Sequence, residues 1–195
     1  MNSFNIFKNS NSIISAVVLL GTVLAANAAF AAEAEKDQAA LIKALAQSKH
    51  SLTEGLRQSA KSPEAPISAK FEIDDKGKLS LSVYTVEKGL STEAEGNVLK
   101  ELSGSPEQAK WTPEVEVFKD IPHVARASQQ LALMSISPFS LADIAAKAQQ
   151  QHSGTVFSIK PAVRNRKPVF VVLEADKGKV VELVFGLLDG KLVSP

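Results

Sequence analysis

The sequence predicts an α+β fold in which amphipathic helices cover antiparallel sheets, and three observations carry that prediction. Residues 140–193 begin with a helix start, Ser140-Leu141-Ala142-Asp143, and continue as three runs rich in Val, Ile, Leu and Phe. Those runs are separated by Asn165-Arg166-Lys167, Asp176-Lys177-Gly178-Lys179 and Asp189-Gly190, residue types that build tight turns. Residues 67–83 alternate strictly between apolar and polar side chains on either side of Asp75-Lys76-Gly77, as a hairpin with one dry and one wet face does. The third observation is a second helix start of the same form, Ser51-Leu52-Thr53-Glu54, placed before that hairpin.

The first 31 residues read as an export signal. Lys8 is the only charge before residue 33, residues 13–26 are almost unbroken in their apolar character, and Ala29-Phe30-Ala31 offers the small residues a signal peptidase reads. The apolar run is short for a span of about 20 residues and lacks a basic stop signal. Cleavage after Ala31 takes 31 of 195 residues and removes Lys8 from 22 basic side chains, leaving 164 residues with 21 basic against 21 acidic. A formally neutral chain gives no electrostatic case for nucleic acid or anionic lipid. The chain has no Cys, so thiol chemistry, thiolate metal sites and a disulfide framework are all excluded. The expected address is periplasmic or secreted, with no stable membrane span after cleavage.

In order, residues 32–50 form an N-terminal helical segment, with Leu41, Ile42 and Leu45 at helical spacing. A first unit with an insertion occupies 51–119. Its helix ends before Pro63 and Pro66, and its hairpin follows through Ile67, Ala69, Phe71 and Ile73, then Leu79, Leu81 and Val83. Within the insertion, residues 92–102 read as a short helix ending at Gly104; after it, residues 111–118 return to alternation through Val115 and Val117. A connector helix spans 120–137, ended by Ser137-Pro138. The second unit, 138–195, places Leu141, Ile144, Ala145 and Ala148 on one helix face, and its middle strand carries apolar residues on both faces. The expected architecture is two helix-plus-antiparallel-sheet units joined by the connector.

One helix followed by an antiparallel sheet, closing on Asp189-Gly190-Lys191, resembles the PepSY family of exported bacterial modules. Residues 140–151, 155–174 and 180–193 carry the likeness, and 51–87 looks like a second, divergent copy. The resemblance implies an exported, non-catalytic module of the envelope, found beside secreted peptidases and proposed to restrain them. The expected partner is accordingly an envelope or secreted protein, peptidases among them. The alternative is a periplasmic carrier or sensor that holds a small apolar ligand between helix and sheet, against Phe157, Phe170 and Phe185.

No reaction centre is visible. His50, His123 and His152 lack the paired spacing of a zinc helix, and no nucleophile elbow, phosphate loop or dinucleotide fingerprint occurs. Catalytic, cofactor and metal residues are therefore assigned to none, and an enzyme is not expected. Asp74-Asp75 reads as a solvated turn. Candidate partner contacts are Tyr84, an aromatic on the wet face, and the basic hairpin tip formed by Arg164, Arg166 and Lys167. Trp111 beside Pro113 reads as buried.

Overall fold

Among the described residues, eight antiparallel strands form one continuous sheet in the order β4-β3-β2-β1-β5-β6-β7-β8. The computed structural model describes residues 37–193, and the description that follows concerns the compact unit beginning at Ala39. The described elements are a helix whose residues 39–45 belong to this unit (α1), then α2 (Leu52–Ser59), β1 (Ala65–Ile73), β2 (Leu79–Val86), β3 (Leu99–Gly104) and β4 (Glu114–Val117). After them come α3 (Ile121–Ser135), α4 (Leu141–Gln151), β5 (Thr155–Arg164), β6 (Lys167–Asp176), β7 (Lys179–Gly186) and β8 (Leu192–Val193). The export signal expected over 1–31 lies outside the described residues.

Both helix starts form as the sequence predicts. Ser51 accepts from the Glu54 amide while Glu54 accepts from the Ser51 amide, and Ser140 and Asp143 exchange the same pair of bonds. Each box satisfies two amides that a helix N-terminus leaves open. The turns follow their chemistry too. Asp74 Oδ1 accepts from the amides of Lys76 and Lys78 at 2.9 and 2.8 Å. Asn165 and Arg166 both take positive φ, 50° and 63°, which a two-residue hairpin loop requires.

The fold class is α+β, but the two expected sheets are one. β1 pairs with β5 through Ala69↔Ile159 and Lys70↔Ser158, so the leading strands of the two hairpins meet at mid-sheet. Joining them there removes two edges and buries Ala69 and Ile159 completely or nearly so. On either side of that pair the strands run outward in sequence order, and α–β–β–β–β occurs before α3 and from α4 onward. Both leading strands also carry a register shift near their start, between Pro66 and Ser68 and between Val156 and Ser158.

The helices divide between the two faces. A Cβ on Gly55 of α2 would come within 2.7 Å of Leu81, and Leu81 shares its face with Phe71, Ala69, Val83 and Ile159. Gln130 of α3 instead accepts a hydrogen bond from Ser68, which shares the other face with Lys70 and Tyr84. α3 therefore lies across the face opposite α2 and α4, and covers the sheet as well as connecting the two hairpins. The main core lies under α2 and α4, where Leu52, Leu56, Leu141, Ile144, Ile67, Leu81, Phe170 and Phe185 are buried.

Residues 92–102 depart from the expected helix. Only a short 3₁₀ turn forms, Ala94–Gly96, and Leu99–Gly104 becomes β3. Asn97 pins the preceding loop by donating to the carbonyls of Gly89 and Thr92 and accepting from the Lys88 amide. The chain then pairs with the free edge of β2 from Leu81↔Gly104 to Val86↔Leu99. Tertiary pairing overrides a weak local helix preference here.

Candidate functional site: an open sheet edge beside a cationic cleft

Among the described residues, β4 is a strand at the margin of the sheet, hydrogen-bonded to β3 alone. Its sequence, Glu114-Val115-Glu116-Val117, leaves all four residues exposed, Val115 by 60% and Val117 by 43%. The Phe118 amide donates to Leu99 at 3.0 Å, which fixes the phase of the ladder. Inward and outward backbone groups alternate along an antiparallel strand, so Glu116 and Glu114 face β3, and Val115 and Val117 turn their N–H and C=O toward the open margin. Glu116 pairs with Glu101, which pairs with Tyr84, giving a row of acidic side chains behind the margin. Nearby, Lys100 bonds Glu64 and Glu87, both at 3.1 Å. Partial burial opposes its charge, and the two carboxylates outweigh that and hold its pKa above the ordinary value.

Between α3 and the sheet lies a cleft of about 230 Å³ whose lining includes Ser68, Lys70, Tyr84, Arg126, Ser158 and Lys160. The β4 margin leads into it through Phe118. Tyr84 and Phe118 stack at 5.7 Å, and Phe118 and His123 at 5.2 Å, so three rings form a wall. Asp120 caps α3, accepting from the His123 amide at 3.1 Å and from its Nδ1 at 2.7 Å. Those bonds hold the Asp120 carboxyl below its ordinary value. Burial, reinforced by Glu101 and Glu72, pushes the Tyr84 hydroxyl far above the usual phenol range, so it stays protonated.

The expected contact residues separate. Tyr84 lies within the cleft, partly covered beneath α3, and the rest of the set sits elsewhere. Arg164, Arg166 and Lys167 are exposed at the β5–β6 tip, where Arg164 reaches Glu182 at 3.4 Å. Lys160 lines the cleft, and Arg164 lies four residues further, about 13 Å along the strand. Phe157, Phe170 and Phe185 are packed into the core and do not line this cleft. Trp111 is buried as expected, its indole N–H donating to the Gly104 carbonyl at 3.3 Å.

The three histidines sit apart, each with its own partner. His50 Nε2 lies 3.0 Å from the Gln108 carbonyl, His123 is bonded to Asp120, and His152 Nδ1 lies 2.9 Å from Glu174. Among the described residues, no three of His, Cys, Asp and Glu gather as a metal site. Glu174 was not singled out from sequence. It is completely buried on the main core face, its second oxygen has no hydrogen-bond partner among the described residues, and burial raises its pKa. The signal lay in the alternation, because Glu174 shares a strand face with Phe170 and Val172. Comparison with protein-family models, curated proteins and solved structures finds no match for the chain.

Proposed function

We propose that the chain is an exported, PepSY-like, non-catalytic module that binds an extended segment of an envelope or secreted protein, such as a peptidase, along β4. The observation that carries this reading is the exposed margin itself: outward backbone groups at Val115 and Val117, with both valine side chains in solvent. A partner strand added there gains main-chain hydrogen bonds, and alternate side chains supply selectivity. Glu114, Glu116 and Glu101 favour a segment with Lys or Arg at alternate positions and apolar residues between them. Pairing of β4 with a second copy of itself would set glutamate against glutamate, which disfavours that occupant. The two-unit reading draws support from the repeated α–β–β–β–β order and the matching register shifts of β1 and β5.

The test is site-specific photocrosslinking in cells exporting the protein, with the crosslinker at Val117 or at Arg166. A discrete adduct with one envelope protein is expected at Val117, absent at Arg166 and lost when Val115→Pro removes an outward amide. An adduct at Arg166 alone would assign binding to the basic tip and overturn the edge reading. N-terminal sequencing of the envelope fraction is expected to begin at Ala32; a retained Met1 contradicts export with cleavage.

A further inference from the structure

The cleft beneath α3 has a chemistry of its own, independent of the β4 margin. Among the described residues three cations line it, Lys70, Arg126 and Lys160, and no carboxylate does. Lys70 is occupied by Glu72, but among the described residues no ion pair joins Arg126 or Lys160. Unpaired cations beside low-dielectric walls concentrate anions, and a guanidinium presents the planar fork that a carboxylate fits. Beside them stand the rings of Tyr84, Phe118 and His123, with Lys70 Nζ 5.8 Å from the centre of the Tyr84 ring. A body that stacks on that wall is flat and apolar.

We propose that this cleft binds a small planar monocarboxylate, its ring against the aromatic wall and its carboxylate between Arg126 and Lys160. Size and charge both narrow the class. At about 230 Å³ the space is below the about 300–1,000 Å³ of pockets for drug-sized ligands, which suits a single ring. Glu72 holds Lys70, and Glu101 acts on the Tyr84 hydroxyl, so the positive charge of the cleft is partly offset and a second negative charge on the ligand gains little. A cleft with unpaired cations and hydroxyls from Ser68 and Ser158 is a poor site for a purely apolar molecule.

Calorimetric titration of the mature chain with benzoate, with neutral benzamide of the same shape, and with dianionic phenylphosphate tests the assignment. Benzoate is expected to bind with a dissociation constant of about 1 mM or tighter, and benzamide at least about tenfold more weakly. The double variant Arg126→Gln, Lys160→Gln should lose at least about tenfold in benzoate affinity, because both side chains act from the surface. Lys167→Gln at the remote tip should change nothing, and an unchanged melting temperature will show that each variant is folded. Ring-proton shifts of Tyr84 and His123 on adding benzoate give a readout that needs no variant. No binding, equal binding of benzamide, tighter binding of phenylphosphate, full affinity in the double variant, or shifts confined to the tip would each overturn the proposal.

Discussion

β6 and β4 are both rich in valine, and they end up in opposite environments. Four consecutive residues of β6, Val169, Phe170, Val171 and Val172, are buried, so both faces of that strand are covered. In β4 every residue is exposed, including the valines. The difference lies in position. β6 has a hydrogen-bonded neighbour on each side, whereas β4 follows the insertion and, among the described residues, closes the sheet against β3 alone. The same residue types thus serve as scaffold at the centre and as accessible surface at the margin. An exposed strand margin offers backbone groups that a strand paired on both sides has already used.

Substitutions should separate the two regions, beginning with the largest loss. Phe170→Ala removes a fully buried ring and is expected to cost about 3–5 kcal/mol in urea denaturation. Gly55→Leu forces a side chain toward Leu81 across the packed helix–sheet contact and should cost about 1–3 kcal/mol. Ser140→Ala removes one capping box at a cost of about 1 kcal/mol, measured the same way. Val115→Pro should leave stability nearly unchanged, since edge strands tolerate proline where the amide points outward. A large loss from Val115→Pro, or none from Phe170→Ala, would break the comparison.

Glu174 adds a pH dependence confined to the buried strand. Burial raises its folded pKa above the ordinary 4.5, so the folded chain holds the proton more tightly than the unfolded chain. The resulting stabilisation is complete below the unfolded value and is lost as pH rises through the folded one. Glu174→Gln stays neutral throughout, so its stability relative to the native chain should rise with pH across that window and level off above it. Denaturation at a series of pH values checks this, and a constant difference contradicts it.

Local chemistry made much of this fold legible. The capping boxes, the hairpin of residues 67–83, the Asn165-Arg166 loop and the burial of β6 on both faces all follow from residue type and period. Long-range closure is different: nothing in residues 67–73 or 155–164 states that β1 and β5 pair, because each hairpin already accounts for one edge. The strand at 99–104 was hidden because Thr92 to Leu102 is locally compatible with helix, and the free edge of β2 decides the outcome. The alternation of β4 was readable while the exposure of its valines was not, since exposure depends on which helix reaches that far across the sheet. Alternation puts Tyr84 on the wet face but carries no sign that α3 covers it, and the cleft arises from that covering.

The most direct test is amide hydrogen exchange at Val115 and Val117, measured in the free protein and in complex with the partner captured by photocrosslinking. Rapid exchange of both amides in the free chain and strong protection in the complex, with the Phe170 and Val172 amides slow in both, is the predicted result. Protection already present in the free chain, or exchange at Val115 and Val117 unchanged by the bound partner, would contradict binding along β4.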